Sequence, residues 1–375
     1  MASISSLTDL TSAMLSGAAA HGKEIEAART GGPDRGGSPR HPWHGPRFAL
    51  PAGVVSSLEP SLPPEFVARL RAIVPDDPPG RLDRVLGAFT RDKPTCARHN
   101  PLRGPLAAAR DALLATGATL TELGLGPGTW RVDHPDRRAV TDSPAVNQGL
   151  VHLQNPSSWI PVLALGIVPD DQVLDLCAAP GGKTLHLASL LGPGGHLAAV
   201  EPVRDRFFRL RGVLERGGAL APAPDHPSLR LFMKDGRSVG GAVPARFDKI
   251  LVDAPCSSEA RFDASDPTTF ATWSPKKIAT SAHKQKALLR SGLAALKPGG
   301  ALVYSTCSLA PEENEAVVLE VLAELGDSVS PTPILPRLPA APPDWMPGLM
   351  GLDLALRVLP GPVWDAFFLV RLERS

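Results

Sequence analysis

The chain has 375 residues, 43% of them hydrophobic and 21% charged, and a formal net charge of +1. This balance suits one large or two modest globular domains, and a near-neutral charge leaves any nucleic-acid contact to local basic patches. Four cysteines exclude a disulfide framework, and the longest apolar stretch, 159–168, falls well short of the roughly 20 residues a membrane helix needs.

Residues 1 to about 55 are rich in Gly, Pro and Arg with little to bury, and read as a disordered tail. The Ser/Thr/Ala-rich start has the composition of an organellar transit peptide. It lacks arginine and soon meets Asp9, Glu24 and Glu26, so a cytoplasmic location is expected, with an organellar one as the alternative. A small α+β domain is predicted over 56–150, with a helix at 62–74, a strand at 95–99 and a helix at 105–116. From 151 to 375 strands and helices alternate, the pattern of a parallel sheet with right-handed crossovers. Strands read at 172–178, 196–202, 229–235, 247–255 and 301–307, and helices at 184–192, 203–217, 275–296 and 311–325. Seven prolines crowd 331–347, and "LALRVLP" and "DAFFLVRLER" then read as a closing hairpin.

"DLCAAPGGKT" at 175–184 stands between the first of these strands and its helix. A Gly-rich turn there lets backbone N–H groups approach a ligand at a helix N-terminus. It lacks the spacing of a phosphate loop, because Gly181 and Gly182 directly precede Lys183. The second strand ends in Glu201, an acid suited to a ribose diol, and the third in Asp235, placed to receive an exocyclic amine of adenine. Three acids, Asp175, Glu201 and Asp235, at successive strand ends beside a Gly turn point to a nucleoside cofactor. "LKPGGALVYS" resembles the approach to the fifth strand in class I methyltransferases. That resemblance favours S-adenosylmethionine over NAD and implies a seven-stranded Rossmann-like sheet of order 3-2-1-4-5-7-6.

"VDAPCSS" at 252–258 and "STCS" at 305–308 each place a cysteine and a serine after an apolar run. In the implied order their strands are neighbours, about 4.8 Å apart. Cys256 and Cys307 would then face one pocket at the carboxyl edge, where open α/β sheets bind ligands. Carbon 5 of cytosine is too weak a nucleophile to displace a methyl from sulfonium unaided. A thiolate added at carbon 6 activates it, and a base must later remove the carbon 5 proton so that the thiol can leave. Two cysteines suit such an addition and elimination; chemistry alone leaves open which one attacks. Cys96 and Cys177 read more simply as small buried hydrophobes.

"LQNPSS", "DLCAAPGGKT", "DAPCS", "WSP", "LKPGGALVYSTCS", "EENE" and "DAFF" follow in one order over about 145–375. In this the chain resembles the NOP/Sun (RsmB/RsmF-type) RNA cytosine-5 methyltransferases, with weaker similarity at "TCARHNPLR" and "LPPEFVARL". The resemblance implies that Cys307 is the nucleophile, that Cys256 assists product release, and that Asp253 meets the ring nitrogen or amine of cytosine and lies near the cofactor. It implies that Cys177, Ala178, Ala179, Pro180, Gly181, Gly182 and Lys183, with Glu201, Arg206, Asp235 and Asp253, bind S-adenosylmethionine. No metal is expected. The chain departs from the family's pattern at "EARFDASDP", where relatives have glycines, and at "DAFF", which replaces Asp-Gly-Phe-Phe. No second RNA-binding domain is expected after the catalytic one.

The implied partner is RNA, ribosomal RNA first and tRNA second, met by a monomer through the domain at 56–150. The basic segment from Arg91 to Arg110, with Arg98 and Arg103, is the expected platform. Arg204, Arg206, Arg209, Arg211 and Arg216 crowd one helix, and Lys276, Lys277, Lys284, Lys286 and Arg290 another; a solvated face accounts for either alone. Trp273 has two open readings, a base-stacking ring or a core tryptophan. The rival functions are a methyltransferase of exocyclic amines, which leaves Cys307 unexplained, and an RNA-binding assembly factor without catalysis, which leaves the intact cysteine pair unexplained.

Overall fold

A computed structural model of the chain describes residues 62–375 other than positions 91 and 222; the tail expected at 1–55 and the Arg91 end of the basic segment lie outside them. Helix α1 (Pro64–Ile73) opens on proline, whose missing N–H is no loss in a first turn. It buries Phe66, Val67, Leu70 and Ile73 along one face. With α2 (Arg81–Gly87) it packs against Phe262, Phe270 and Trp273 of the larger domain.

The small sheet comprises β1 (Thr95–His99), β2 (Thr119–Glu122), β3 (Thr129–Asp133) and β4 (Val151–Leu153), all antiparallel in the order β2-β3-β1-β4. Helices α3 (Leu106–Leu114), α4 (Arg137–Thr141) and α5 (Pro144–Asn147) accompany it, and Ala97, Leu113, Trp130 and Val132 fill its core. Only β1 is among the predicted strands. β2 and β4 are too short for alternation to register in sequence, whereas β3 carries an alternation, Trp130 and Val132 against Arg131 and Asp133, that the sequence reading passed over. Since β4 pairs with β1, this sheet runs just past residue 150.

The large sheet follows α6 (Ile160–Leu165). Its parallel strands are β5 (Gln172–Asp175), β6 (His196–Val200), β7 (Ser228–Phe232), β8 (Phe247–Asp253) and β9 (Leu296–Thr306). Helices α7 (Gly182–Leu190), α8 (Arg204–Arg216), α9 (Val239–Ala242) and α10 (Pro275–Ala295) connect them. After β9 come α11 (Glu315–Leu325), β10 (Val329–Thr332), β11 (Trp345–Pro347), β12 (Leu356–Val358) and β13 (Phe367–Arg374). The order β7-β6-β5-β8-β9-β13 realises the expected 3-2-1-4-5-7, with β13 antiparallel to β9.

The sixth place differs from expectation. β13, at 8 residues, is long enough to pair β12 along Phe367–Leu369 and β10 along Arg371–Arg374, and β11 adds an edge beyond β12. The sheet therefore has nine strands rather than seven, and two of the extra ones use the proline-rich stretch. Adjacent residues face opposite layers, as the pleat demands: Leu174, Ile250 and Leu302 meet α10 and α11, while Val173, Leu251 and Val303 meet α6, α7 and α8. Both faces are covered, which is why the strands read as near-continuous apolar runs. No helix among the described residues is long and apolar enough to cross a membrane.

Candidate active site

β5, β8 and β9 are neighbours and end at one edge, so the loops that follow them converge. Cys256 Sγ and Cys307 Sγ lie 3.3 Å apart there. They share a cleft of about 690 Å³ with the whole segment 177–183, Arg206 and Asp253. Eleven of the thirteen residues singled out from sequence thus line one cavity. Glu201 and Asp235 do not. Glu201 is buried beneath Arg206, whose guanidinium lies 3.5 Å from its carboxylate and donates to Ala179 O at 3.0 Å. Asp235 is half-exposed and accepts from the Arg237 side chain, an ion pair that also accounts for its lowered pKa.

The glycine turn is required by its surroundings. Gly181 has φ of +114°, and a Cβ on Gly182 would come within 2.7 Å of His152 Nε2 and 2.9 Å of Gln154 Nε2. The turn lines the cleft at the start of α7, and the cleft has room for a nucleoside, so these residues fit a nucleoside cofactor. Lys183, on the first turn of α7, places Nζ 2.8 Å from Asp253 Oδ2 and 5.0 Å from the Phe367 ring centroid. Ser305 Oγ donates to the other Asp253 oxygen at 3.0 Å. Below the turn, burial pushes the Asp175 carboxyl up to about 7, although Thr184 Oγ1 donates to it at 2.7 Å.

The two thiols have opposite tendencies. The Cys256 hydrogen bond lowers the pKa of Cys307, burial and the Asp253 charge oppose it, and Arg261 and Lys183 assist. Cys256 is raised by that same bond, by burial and by the Glu313 carboxylate. When one of the two ionises, these influences favour the charge on Cys307 and the proton on Cys256. Cys96, away from the cleft, is pushed up to about 12 by burial, and Cys177 rises for the same reason, so neither is primed as a nucleophile.

Several residues that sequence reasoning passed over shape this site. Glu259 and Glu313 bind the two cysteine loops, and Gln285 Nε2 donates to Pro255 O at 2.9 Å. The acids of "EENE" and the lone glutamate of "EARFDASDP" were the available signals. His152 and Gln154 press on the glycine turn; Gln154 belongs to the "LQNPSS" motif and His152 stands just before it.

The basic surface is smaller than the sequence suggests. Arg98 is buried, and its pKa falls to about 9 by burial. Arg103 donates to Arg216 O and Glu215 O at the end of α8, both at 2.8 Å. Lys286 and Arg290 pair with Glu320 and Glu324 of α11, and Arg211 with Glu215. Arg209 faces the cleft, and Arg110 and Arg204 are exposed. Trp273 is partly buried against the aromatic cluster, edge-on to Phe66 and Phe262 with Nε1 donating to Glu259 at 2.8 Å.

Residues 162–373 match the family model described as 16S rRNA methyltransferase RsmB/F. The chain is 36% identical over 287 residues to the ribosomal RNA small subunit methyltransferase F of Serratia proteamaculans, covering 75% of this chain and 57% of that one. It is also 36% identical over 226 residues to the mitochondrial tRNA (cytosine(34)-C(5))-methyltransferase of Mus musculus, covering 60% of this chain and 64% of that one. It thus spans less than two thirds of these curated relatives. Among solved structures it is similar to a methyltransferase homolog protein from Pyrococcus horikoshii, with 28% identity, a TM-score of 0.66, and 84% and 100% of the two chains covered. NSun6 from the same organism, solved with SFG, has a TM-score of 0.68 at 18% identity over 84% of this chain and 98% of that one, a likeness of fold.

Proposed function

Because the chain belongs to the 16S rRNA methyltransferase RsmB/F family, we propose that it transfers a methyl group from S-adenosylmethionine to carbon 5 of a cytosine in RNA. Ribosomal RNA is the first substrate class and tRNA the second, in line with what the relatives' names say of those proteins. The observation that carries the reading is the pair of thiols 3.3 Å apart at the ends of neighbouring strands, with the thiolate favoured on Cys307.

The Cys307 thiolate adds to carbon 6 of the cytosine, forming a sulfur–carbon bond and making carbon 5 nucleophilic. Asp253, held by Ser305 and Lys183, meets the ring nitrogen or amine as charge develops there. When bound, the cofactor supplies an electrophilic methyl on a sulfonium centre. Segment 177–183, with Arg206 and Asp253, would hold it in the cleft, whereas Glu201 and Asp235 could join only on release from Arg206 and Arg237. Carbon 5 then carries both the methyl and a proton. Loss of that proton re-forms the carbon 5–carbon 6 double bond and expels the Cys307 thiolate, and Cys256, hydrogen-bonded to Cys307, assists this step. We assign 56–150 to RNA binding and 151–375 to catalysis; β4 links the two parts, since His152 lines the cleft.

The test supplies purified protein with tritiated S-adenosylmethionine and, separately, ribosomal RNA, tRNA and duplex DNA. Label should enter RNA, appear as 5-methylcytosine, and fall steeply with added salt as phosphate contacts require. Label in DNA duplexes and in no cellular RNA overturns the reading.

A further inference from the structure

Each cysteine loop carries a buried carboxylate that grips the other loop. Glu259, three residues past Cys256, accepts from Ser308 Oγ at 3.1 Å, Leu309 N at 2.8 Å and Ala310 N at 3.0 Å, all in the loop after Cys307. Glu313, further along that second loop, accepts from Ser257 N at 2.9 Å and from Ser257 Oγ, beside Cys256. Both glutamates are 1% exposed or less. Ser257 Oγ also meets Ser308 Oγ at 3.1 Å, and Ala260 N donates to Cys307 O at 3.0 Å. Burying a carboxylate is costly unless strong donors satisfy it, and here the donors belong to the two loops that present the sulfurs.

We propose that Glu259 and Glu313 form a reciprocal brace that sets the spacing of the two sulfurs and thereby their relative reactivity. The inference rests on the cysteine reading above and deepens it. Neither glutamate touches a reacting atom; both are positioning residues.

The charges around the pair are asymmetric. Lys183 from α7 and Arg261 from the first loop favour a thiolate on Cys307, and Asp253 at the end of β8 opposes it. Glu313 from the second loop disfavours charge on Cys256, whose own charge in turn disfavours that of the Tyr304 hydroxyl on β9. Removing the Glu313 charge removes one of the charges that distinguish the two sulfurs. Removing the Glu259 acceptor frees the backbone that follows Cys307.

The experiment alkylates the full chain with iodoacetamide, without RNA or cofactor, and follows each cysteine by peptide mass spectrometry from about pH 6 to pH 9. The thiolate sulfur bonds the reagent's methylene carbon and expels iodide. Cys307 should react ahead of Cys256. In Glu313→Gln, which keeps the shape but not the charge, the Cys307-to-Cys256 rate ratio should fall about threefold or more, because Cys256 loses a neighbouring negative charge and its loop a strong acceptor. In Glu259→Gln the pH midpoint of Cys307 should move upward and kcat should fall more than KM rises.

A ratio within about twofold of wild type in a Glu313→Gln chain with native circular dichroism overturns the proposal. Should that variant fail to fold, Ser257→Ala decides the matter. It keeps both carboxylates and removes only the hydroxyl link, and an unchanged ratio there overturns the brace as well. A wild-type chain that shows the ratio yet methylates no RNA separates failure of the proposed function from failure of the brace.

Discussion

At the residue scale the two sulfurs carry the clearest expectations. Cys307→Ala should bind RNA and cofactor, form no covalent adduct and transfer no methyl, because the first step has lost its nucleophile. Cys256→Ala should still add to the base but release slowly, so protein attached to RNA should accumulate on denaturing gels. The pH profile of adduct formation should also shift to the alkaline side, since the Cys256 hydrogen bond that lowers Cys307 is gone. An adduct in Cys307→Ala but not in Cys256→Ala would reverse the roles. Asp175 makes a second prediction. Its carboxyl is raised from 3.8 to about 7 by burial, so the folded chain holds a proton that the unfolded chain has released. That group's contribution to stability is present at low pH and falls as pH rises through this window. In Asp175→Asn the loss of unfolding free energy between about pH 5 and pH 8 should shrink by on the order of 2–3 kcal/mol. Urea titrations at both pH values measure it, and an unshrunken loss would show the carboxyl already ionised in the fold.

At the element scale the "EENE" run divides its labour among three partners. Glu312 pairs with Arg69 of α1 at 2.6 Å, Glu313 holds the Cys256 loop, and Glu315 at the start of α11 pairs with Arg357 of β12 at 2.5 Å. The last pair is almost wholly buried, and Glu315 also accepts from Leu349 N at 3.0 Å. Deleting one partner of a buried pair strands the other charge. Glu315→Ala should therefore cost about 3–5 kcal/mol of unfolding free energy, and adding Arg357→Met should recover much of that loss. Equal stability of the single and double variants in urea would contradict the pairing. By contrast Lys286 and Arg290 sit on an exposed helix face opposite the α11 acids, where such pairs contribute about 0–1 kcal/mol.

At the scale of the whole molecule, α1 joins the amino-terminal part of the chain to the wall of the cleft. Phe66 is 2% exposed, with ring centroids 4.9 Å from Phe262, 5.4 Å from Phe89 and 6.0 Å from Trp273. Trp273 in turn donates to Glu259, which holds the Cys307 loop. Phe66→Ala should cost about 3–5 kcal/mol, as truncation of a buried aromatic does. Methyl transfer should fall below what the unfolded fraction explains, because the cavity opens beside that chain of contacts. Leu354→Ala, at a residue 43% exposed, should change neither stability nor turnover. Calorimetric melting and turnover of the three proteins together check it.

What the sequence by itself determined was the local part of this design. Four of the five parallel strands are buried and so appear as apolar runs, while β7 at the edge is only half-buried. Residues at the ends of neighbouring strands must share an edge. With the strand order that the methyltransferase resemblance implies, Cys256, Cys307, Asp253 and the glycine turn could be assembled at one site, with β13 expected between the fifth and sixth places. Tertiary structure decided whatever depends on side chains meeting from distant positions. Arg98 is buried and Trp273 packs against the aromatic cluster because β1 and α1 pack where no local pattern announces it. The short strands β2 and β4, and the division of the sixth place between β10 and β12, exist only through their partners. The difference between the two sulfurs likewise depends on what meets in space. It arises first from their mutual hydrogen bond and then from Arg261, Lys183 and Glu313, brought together by the two cysteine loops and α7, because Coulomb interactions depend on distance in space and are indifferent to distance along the chain.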